Sequence, residues 1–230
     1  MDKQKNTIGL LNEHTLHLSL KNYLQPDKRF QEQEYEGYIA DIKQDHEIIE
    51  IETRSFSNIR KKLGVFLKSC SVTVVYPIAS CKWIIWIDPK SGELSKRHRS
   101  PKKGRPSDVC YELYKLKPFL KHPNFHLKLI MAEITEYKRR DGWSYDGKRG
   151  ATREERIPEA ITEIIDVRSP EDYSKLVDVI PEGEFTSAEF AKINRLRARY
   201  VWYVIDILVY VEVIERLGKR GKFYLYRRLQ

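Results

Sequence analysis

The sequence predicts an α/β protein, a mixed sheet flanked by helices, followed by a small unit of two helices and a hairpin. Three observations carry this. Segments of helical spacing alternate with β-rich segments down to about residue 88. The runs VTVVYPI at 72–78 and KWIIWID at 82–88 are continuously apolar, the pattern of strands covered on both faces. The last 47 residues then repeat neither pattern and carry their own short helix, long helix and basic hairpin.

Residues 11–24 set Leu11, Thr15 and Leu18 on one stripe with Leu16, Leu20, Tyr23 and Leu24 beside it, which is helical spacing, and Pro26 ends the helix. GYIADIK, a polar QDH and EIIEIET read as a hairpin, with Ile48, Ile49 and Ile51 branched at Cβ. Phe56, Ile59, Leu63, Phe66 and Leu67 then fall at helical intervals over 57–68, with Ser55 or Ser57 available as N-cap. The two apolar runs complete the order helix, strand, strand, helix, strand, strand.

Residues 90–105 hold seven Lys or Arg and one Glu and read as an exposed basic loop. A helix over about 107–120, a strand over 126–138, a polar turn-rich stretch over 139–156 and a mostly helical 157–180 follow. Thr186 or Ser187 caps a short helix AEFAKI, the span NRLRARYVWYVIDILVYVEVI forms a long second helix, and RLGKRGKFYLYRR forms a hairpin with Lys219, Arg220 and Gly221 at its tip. This divides the chain into 1–140, a connecting, mostly helical 141–182, and 183–230.

With 42 Lys plus Arg against 33 Asp plus Glu, the formal charge of the 230 residues is +9, which favours a polyanionic partner. The excess is uneven. It collects in 90–105 and in 184–230, where ten basic residues face five acidic ones. Cys70, Cys81 and Cys110 are odd in number and lack metal spacing, which argues against a disulfide framework or a zinc site and for buried thiols in a cytoplasmic protein. The N-terminus lacks the pattern of a signal peptide, and the most apolar stretch, 201–214, is short for a membrane span and carries Asp206 and Glu212. His14 and His17, one turn apart, and His122 and His126, separated by Pro123, make poor ligand pairs.

The chemistry lies in the hairpin. Glu50 and Glu52 point to one face of their strand, Ile49, Ile51 and Thr53 to the other. If Gln44 and Asp45 form the turn, Asp41 lies opposite Ile48, on the face of Glu50 and Glu52. Carboxylates gathered in this way repel unless a cation sits among them, and a hard divalent ion takes oxygen ligands of this kind.

This order of residues resembles the PD-(D/E)XK nuclease superfamily, the restriction-endonuclease-like fold, over residues 11–88. The resemblance implies an N-terminal helix with a Glu, an Asp on the first hairpin strand, an acidic-x-Lys element on the next and a helix after it. The matches are Glu13, Asp41 in GYIADIK, Glu50 in IIEIET, and the helix within SFSNIRKKLGVFL, with Glu52 where the Lys would stand. Lys61, Lys62 and Arg54 are the nearest replacement cations, with Lys62 favoured because the helix can turn it back toward the strand. The C-terminal residues resemble a winged helix. The whole chain, with EIET followed by SF and RKKL, is similar to an uncharacterised bacterial group that joins the two.

The resemblance implies Mg²⁺- or Mn²⁺-dependent hydrolysis of DNA, with Asp41, Glu50 and Glu13 as metal ligands and Glu52 with Lys62 positioning water. Lys96, Arg97, Arg99, Lys102 and Lys103 of the loop, and Arg195, Arg197, Arg199, Lys219 and Arg220 of the C-terminal unit, would hold phosphate. Other readings stay open: a regulator or assembly factor on a degenerate nuclease fold, RNA as substrate, a partner protein on the winged helix, and a homodimer. Tyr200, Trp202 and Tyr203, among aliphatic neighbours, read as core.

Overall fold

The computed structural model describes the backbone of residues 8–229 and the side chains of 15–229. Helix α1 (Ile8–Leu24) and a short 3₁₀ turn lead into β1 (Gln31–Tyr35), β2 (Tyr38–Gln44) and β3 (Glu47–Ile51). Helix α2 (Arg60–Phe66) precedes β4 (Ser71–Ile87) and the two-residue β5 (His98–Arg99). Helix α3 (Cys110–Leu113), continued by a 3₁₀ segment over Tyr114–Phe119, leads to β6 (Phe125–Arg139) and β7 (Thr152–Val167). The chain ends with β8 (Glu184–Thr186), α4 (Ser187–Ile193), α5 (Ala198–Tyr210), β9 (Ile214–Arg220) and β10 (Phe223–Arg228).

Strands β1 to β7 make one mixed sheet in the order β1-β2-β3-β4-β6-β7, with β5 paired to β4; β8, β10 and β9 make a second. Strands β3 and β4 are parallel, Glu47 beside Ser71 through Ile51 beside Val75, so α2 is their crossover. Two compact units divide the chain: Met1–Gln31, Pro77–Gly104 and Ile130–Ile164 form one; Glu32–Tyr76, Arg105–Leu129 and Ile165–Gln230 form the other. In the second, Ile48, Phe56, Ile59, Leu63, Phe66, Val72, Val74, Leu113 and Leu116 are buried. Each such side chain removed from water contributes about 1.5–3 kcal/mol. Phe56 meets Tyr76 edge to face, centroids 5.2 Å apart.

Several expectations are corrected. The two apolar runs are one strand, β4, because Ala79 and Ser80 between them are held sideways: the Ala79 carbonyl accepts from the Gly104 N–H at 2.8 Å and Ser80 Oγ donates to the Ala132 carbonyl at 3.2 Å. Residues 152–167, read as the end of a turn-rich stretch and, from 157, as mostly helical, form β7, the last strand in its sheet. Pro158 is accommodated there because an edge strand leaves one side of its backbone unpaired. The helical part of the expected connecting region is a 3₁₀ segment, Glu171–Leu176. On α1, Leu16 and Leu20 are buried whereas Leu18 and Tyr23 are exposed, so only part of the predicted stripe faces the core.

The C-terminal elements follow the expected order. Thr186 caps α4 through a reciprocal pair, its Oγ1 accepting from the Glu189 N–H at 3.2 Å and its own N–H donating to Glu189 Oε2 at 2.7 Å. The long helix is shorter than predicted. It begins at Ala198, with Arg197 as N-cap and Arg195 in the left-handed region at φ 50°. Buried Asn194 explains the break: its Oδ1 accepts from the Val179 N–H at 2.9 Å and its Nδ2 donates to the Val179 carbonyl at 2.8 Å, locking the turn. Phe223 pairs with Arg220, so the hairpin tip is Gly221–Lys222, Gly221 taking φ 62°.

All three cysteines are buried and unpaired, and burial pushes the Cys110 thiol far above its ordinary range. Among the described residues no helix is long and apolar enough to cross a membrane.

Candidate active site

The candidate site is built on the β2–β3 hairpin of the second unit. Ile42 lies opposite Ile49, Lys43 opposite Ile48 and Gln44 opposite Glu47, so the turn is Asp45–His46, with Asp45 at φ 49°. The predicted turn was one residue earlier. Carried one step further, the observed register sets Asp41 against Glu50 rather than Ile48. A shift of two residues preserves the face, so the conclusion that Asp41 and Glu50 point the same way stands.

Asp41 is fixed by the strand beside it: its Oδ2 accepts from the Ile51 backbone N–H at 2.8 Å. Glu50 is 1% exposed. Neither of its oxygens meets hydrogen-bond geometry with a described donor, and its close partner is the Lys62 ammonium, an ion pair on Oε2. Burial pushes the Glu50 carboxyl up, the Asp41 charge adds to this and Lys62 opposes it, leaving it at about 7. Lys62 Nζ also donates to the Ile39 carbonyl at 3.4 Å, which holds it over the hairpin. Asp41, Glu50 and Lys62 are thereby brought together, each from a different element.

Glu52 stands one residue past β3, half-buried, its N–H continuing the ladder to the Val75 carbonyl at 2.9 Å. Glu13 lies within α1, and its side chain is outside the described residues, as is that of His14. Among the described residues no group of three His, Cys, Asp or Glu side chains is arranged to hold a metal ion. Asp41 and Glu50 are a pair of hard oxygen donors with a buried charge that lacks directed hydrogen bonds. That donor set suits Mg²⁺ or Mn²⁺, provided further ligands come from water or phosphate.

The segment after β3 is braced from α3. Glu112, buried, accepts from the Phe56 N–H at 2.9 Å and pairs with Lys115, whose Nζ also donates to Ser55 Oγ at 2.8 Å.

The predicted phosphate-binding residues have varied surroundings. In the first unit, Lys96, Arg99, Lys102 and Lys103 are exposed, whereas Arg97 is committed to Glu159 at 2.5 Å and lies over the Trp83 ring at 4.3 Å. In the second, Arg195, Arg197 and Arg199 are exposed; Arg220 pairs with Glu184 at 3.3 Å, and Lys219 lies over the Tyr224 ring at 5.1 Å.

Sequence reasoning missed a cluster in the first unit. Glu136, 1% exposed, has the Lys82 ammonium at 2.9 Å, that of Lys138 at 3.4 Å, and Arg153 and Arg156 at 3.6 and 3.9 Å. Burial raises its carboxyl, but the cations outweigh burial and hold it below its ordinary value. The one available signal was Glu136 and Lys138 sharing a strand face; the two arginines lie in the stretch that reads as polar and turn-rich.

Residues 14–168 match the family described as Domain of unknown function (DUF8091), which spans more than half of the chain. The chain belongs to this family. The DUF8091 segment starts one residue after Glu13, contains Asp41, Glu50, Glu52, Lys62 and the basic loop, and stops after β7, leaving α4, α5 and the terminal hairpin outside it. An uncharacterized protein of Treponema pallidum (strain Nichols) is 27% identical over 230 residues, covering 96% of this chain and 88% of its own length, so the similarity reaches beyond the DUF8091 segment into the C-terminal elements. No solved structure matches the chain.

Proposed function

We propose that this protein is a metal-dependent nuclease of restriction-endonuclease-like fold that hydrolyses DNA phosphodiester bonds, with residues 184–228 as a winged helix for DNA or a partner protein. The observation that carries the reading is the buried Glu50 carboxylate, on one hairpin face with Asp41 and met by a lysine from the following helix. The succession α1, hairpin, α2, β4 is the one the resemblance implies, and Lys62 supplies the cation that position 52 lacks.

Asp41 and Glu50 would hold the metal. A bound Mg²⁺ or Mn²⁺ supplies Lewis-acid stabilisation of charge on phosphate oxygens and a water of lowered pKa. Asp41 is oriented by the Ile51 N–H. Glu50, sequestered from solvent, presents a charge that a cation or a proton must balance. Lys62 orients water and offsets negative charge near the phosphorus, and half-buried Glu52 accepts a proton from that water.

The test is conversion of supercoiled DNA to nicked and linear forms in Mg²⁺ or Mn²⁺, with linear, branched and single-stranded DNA and RNA alongside. Asp41→Asn and Glu50→Gln abolish cleavage, and Lys62→Ala lowers it about 100-fold or more, the usual weight of one positioned acid–base or electrostatic group. Cleavage by the Asp41 and Glu50 variants equal to that of the parent overturns the assignment. One observation favours a second reading: the Glu50–Lys62 ion pair neutralises the carboxylate a metal would use. Binding to DNA without cleavage in any metal would establish that reading, a DNA-binding regulator or assembly factor on a nuclease-like fold.

A further inference from the structure

Five aromatic rings gather where α3 packs against α5 in the second unit. Tyr114 and Trp202 are 5.0 Å apart, Trp202 and Tyr203 4.9 Å, Tyr114 and Tyr203 5.5 Å, Tyr111 and Tyr203 5.0 Å, with Tyr200 at 6.5 Å from Tyr111. The contacts are edge to face, so each ring is held by its neighbours. The core side of α5 is Val204, Ile205, Ile207 and Leu208, continued by Val211 just beyond the helix; Tyr200 and Tyr203 border it, one turn before Val204 and Ile207, and Trp202 stands across the helix from it. Three of the rings are exposed, Trp202 at 55%, Tyr111 at 43% and Tyr114 at 40%, and Tyr200 and Tyr203 between them are half-buried. The expectation that Trp202 belongs to the core is therefore corrected. A contiguous exposed aromatic surface marks a binding face.

Its surroundings decide the partner. Between Glu189 and Asp206 the only charged residues are Lys192, Arg195, Arg197 and Arg199, all positive. Arg199 lies over the Tyr200 ring at 4.5 Å, while Lys115 over Tyr111 at 5.0 Å and Lys117 over Tyr114 at 5.7 Å are paired with Glu112 and Asp206. Aromatic faces interleaved with cations suit unpaired bases and their phosphates, whereas a duplex keeps its base faces stacked inside. The groove of about 510 Å³ that Trp202 lines on the side of the terminal hairpin carries Asp206, Glu212 and Glu215 beside Arg216, and these carboxylates already hold Lys117, Lys121 and Arg227 as partners. The favoured path runs over Arg199 and Tyr111. Lys115, beside Tyr111, touches Ser55, three residues after Glu52.

We infer that this aromatic face is a stacking platform for single-stranded nucleic acid that leads an unpaired strand toward the Asp41–Glu50 hairpin. The direction of the strand rests on the nuclease reading; the platform stands on its own geometry.

The experiment is fluorescence anisotropy of the full chain with labelled oligo-dT, oligo-rU and a mixed-sequence duplex, each about 20 nucleotides or base pairs long, in EDTA so that nothing is cut. Single strands bind about tenfold or more tighter than the duplex, and Trp202→Ala and Tyr114→Ala each weaken binding about tenfold, in line with one lost stacking contact. Trp202→Phe keeps most of the affinity, Trp143→Ala in the first unit changes nothing, and thermal melts show that each variant folds. The comparison of oligo-dT with oligo-rU assigns DNA or RNA.

Equal affinity for duplex and single strands, parental binding by Trp202→Ala, or no binding to any oligonucleotide overturns the inference, the last leaving the face to a protein partner. Tight single-strand binding by a protein that never cleaves defeats the nuclease reading alone. Cleavage that is indifferent to Trp202→Ala and Tyr114→Ala defeats the platform alone.

Discussion

Glu50 places chemistry and stability in opposition. Its carboxyl sits at about 7 because burial, and then the Asp41 charge, disfavour its ionised form. In the unfolded chain it would ionise near 4.5, so between these values the folded state holds a proton the unfolded state has released. Stability therefore falls as the pH rises through this window. The loss is complete above about 7 and on the order of 3 kcal/mol at most. Urea melts of metal-free protein at pH 5 and pH 8 should show that decline, and Glu50→Gln should flatten it, leaving the variant more stable than the parent at pH 8. A variant less stable than the parent at both pH values would mean that the Lys62 pair outweighs burial. Asp41 and Glu50 were legible in the sequence because a strand alternates its faces, and Lys62 because a helix returns one side to the strand it follows. Glu136 was not, since Lys82, Lys138, Arg153 and Arg156 reach it from three strands separated by tens of residues.

Elements were legible where local signals and packing agree. The helices over 60–66 and 187–193 have apolar spacing or a capping box that survives in the fold, and the hairpin of Asp41 and Glu50 differs from its prediction by a single turn position. Where tertiary pairing overrode local pattern, the reading failed. Ile157, Ile161, Ile164 and Ile165 fall at helical intervals, yet they lie in β7, tied by Thr162 Oγ1 to the Met131 carbonyl at 3.1 Å and by Glu154 to Arg139 at 2.5 Å. Helix α2, which delivers Lys62, carries Gly64 in its interior. A methyl group added there would meet the Phe119 ring at 3.5 Å, ordinary van der Waals contact, with the backbone already right-handed. Gly64→Ala should therefore stabilise the protein by about 0.5–1 kcal/mol, through lost freedom in the unfolded chain and better helix propensity. Chemical denaturation measures this. A lower midpoint would show that Phe119 cannot tolerate the contact.

At the scale of the whole molecule, the net charge of +9 is a sum over groups with different freedom. Arg97 is bound to Glu159, Lys117 to Asp206 and Arg220 to Glu184, so these cations carry partners with them. Arg195 and Arg199 have no acidic residue near them in sequence, and Lys102 lies exposed in the basic loop. If the excess serves to hold a polyanion, it should appear as released counterions. The slope of log affinity against log salt for a single strand then falls by about 0.7 for each phosphate contact removed. Replacing Arg195 and Arg199 together by alanine should flatten the slope by about 1.4, and replacing Lys102 by about 0.7. Arg97→Ala should leave it where it was, because Glu159 already neutralises that charge. Titrations of oligo-dT at several salt concentrations decide the matter. A parental slope near zero would mean that the charge serves solubility alone, and an equal effect of all three replacements would mean that local ion pairs do not govern which cations meet phosphate.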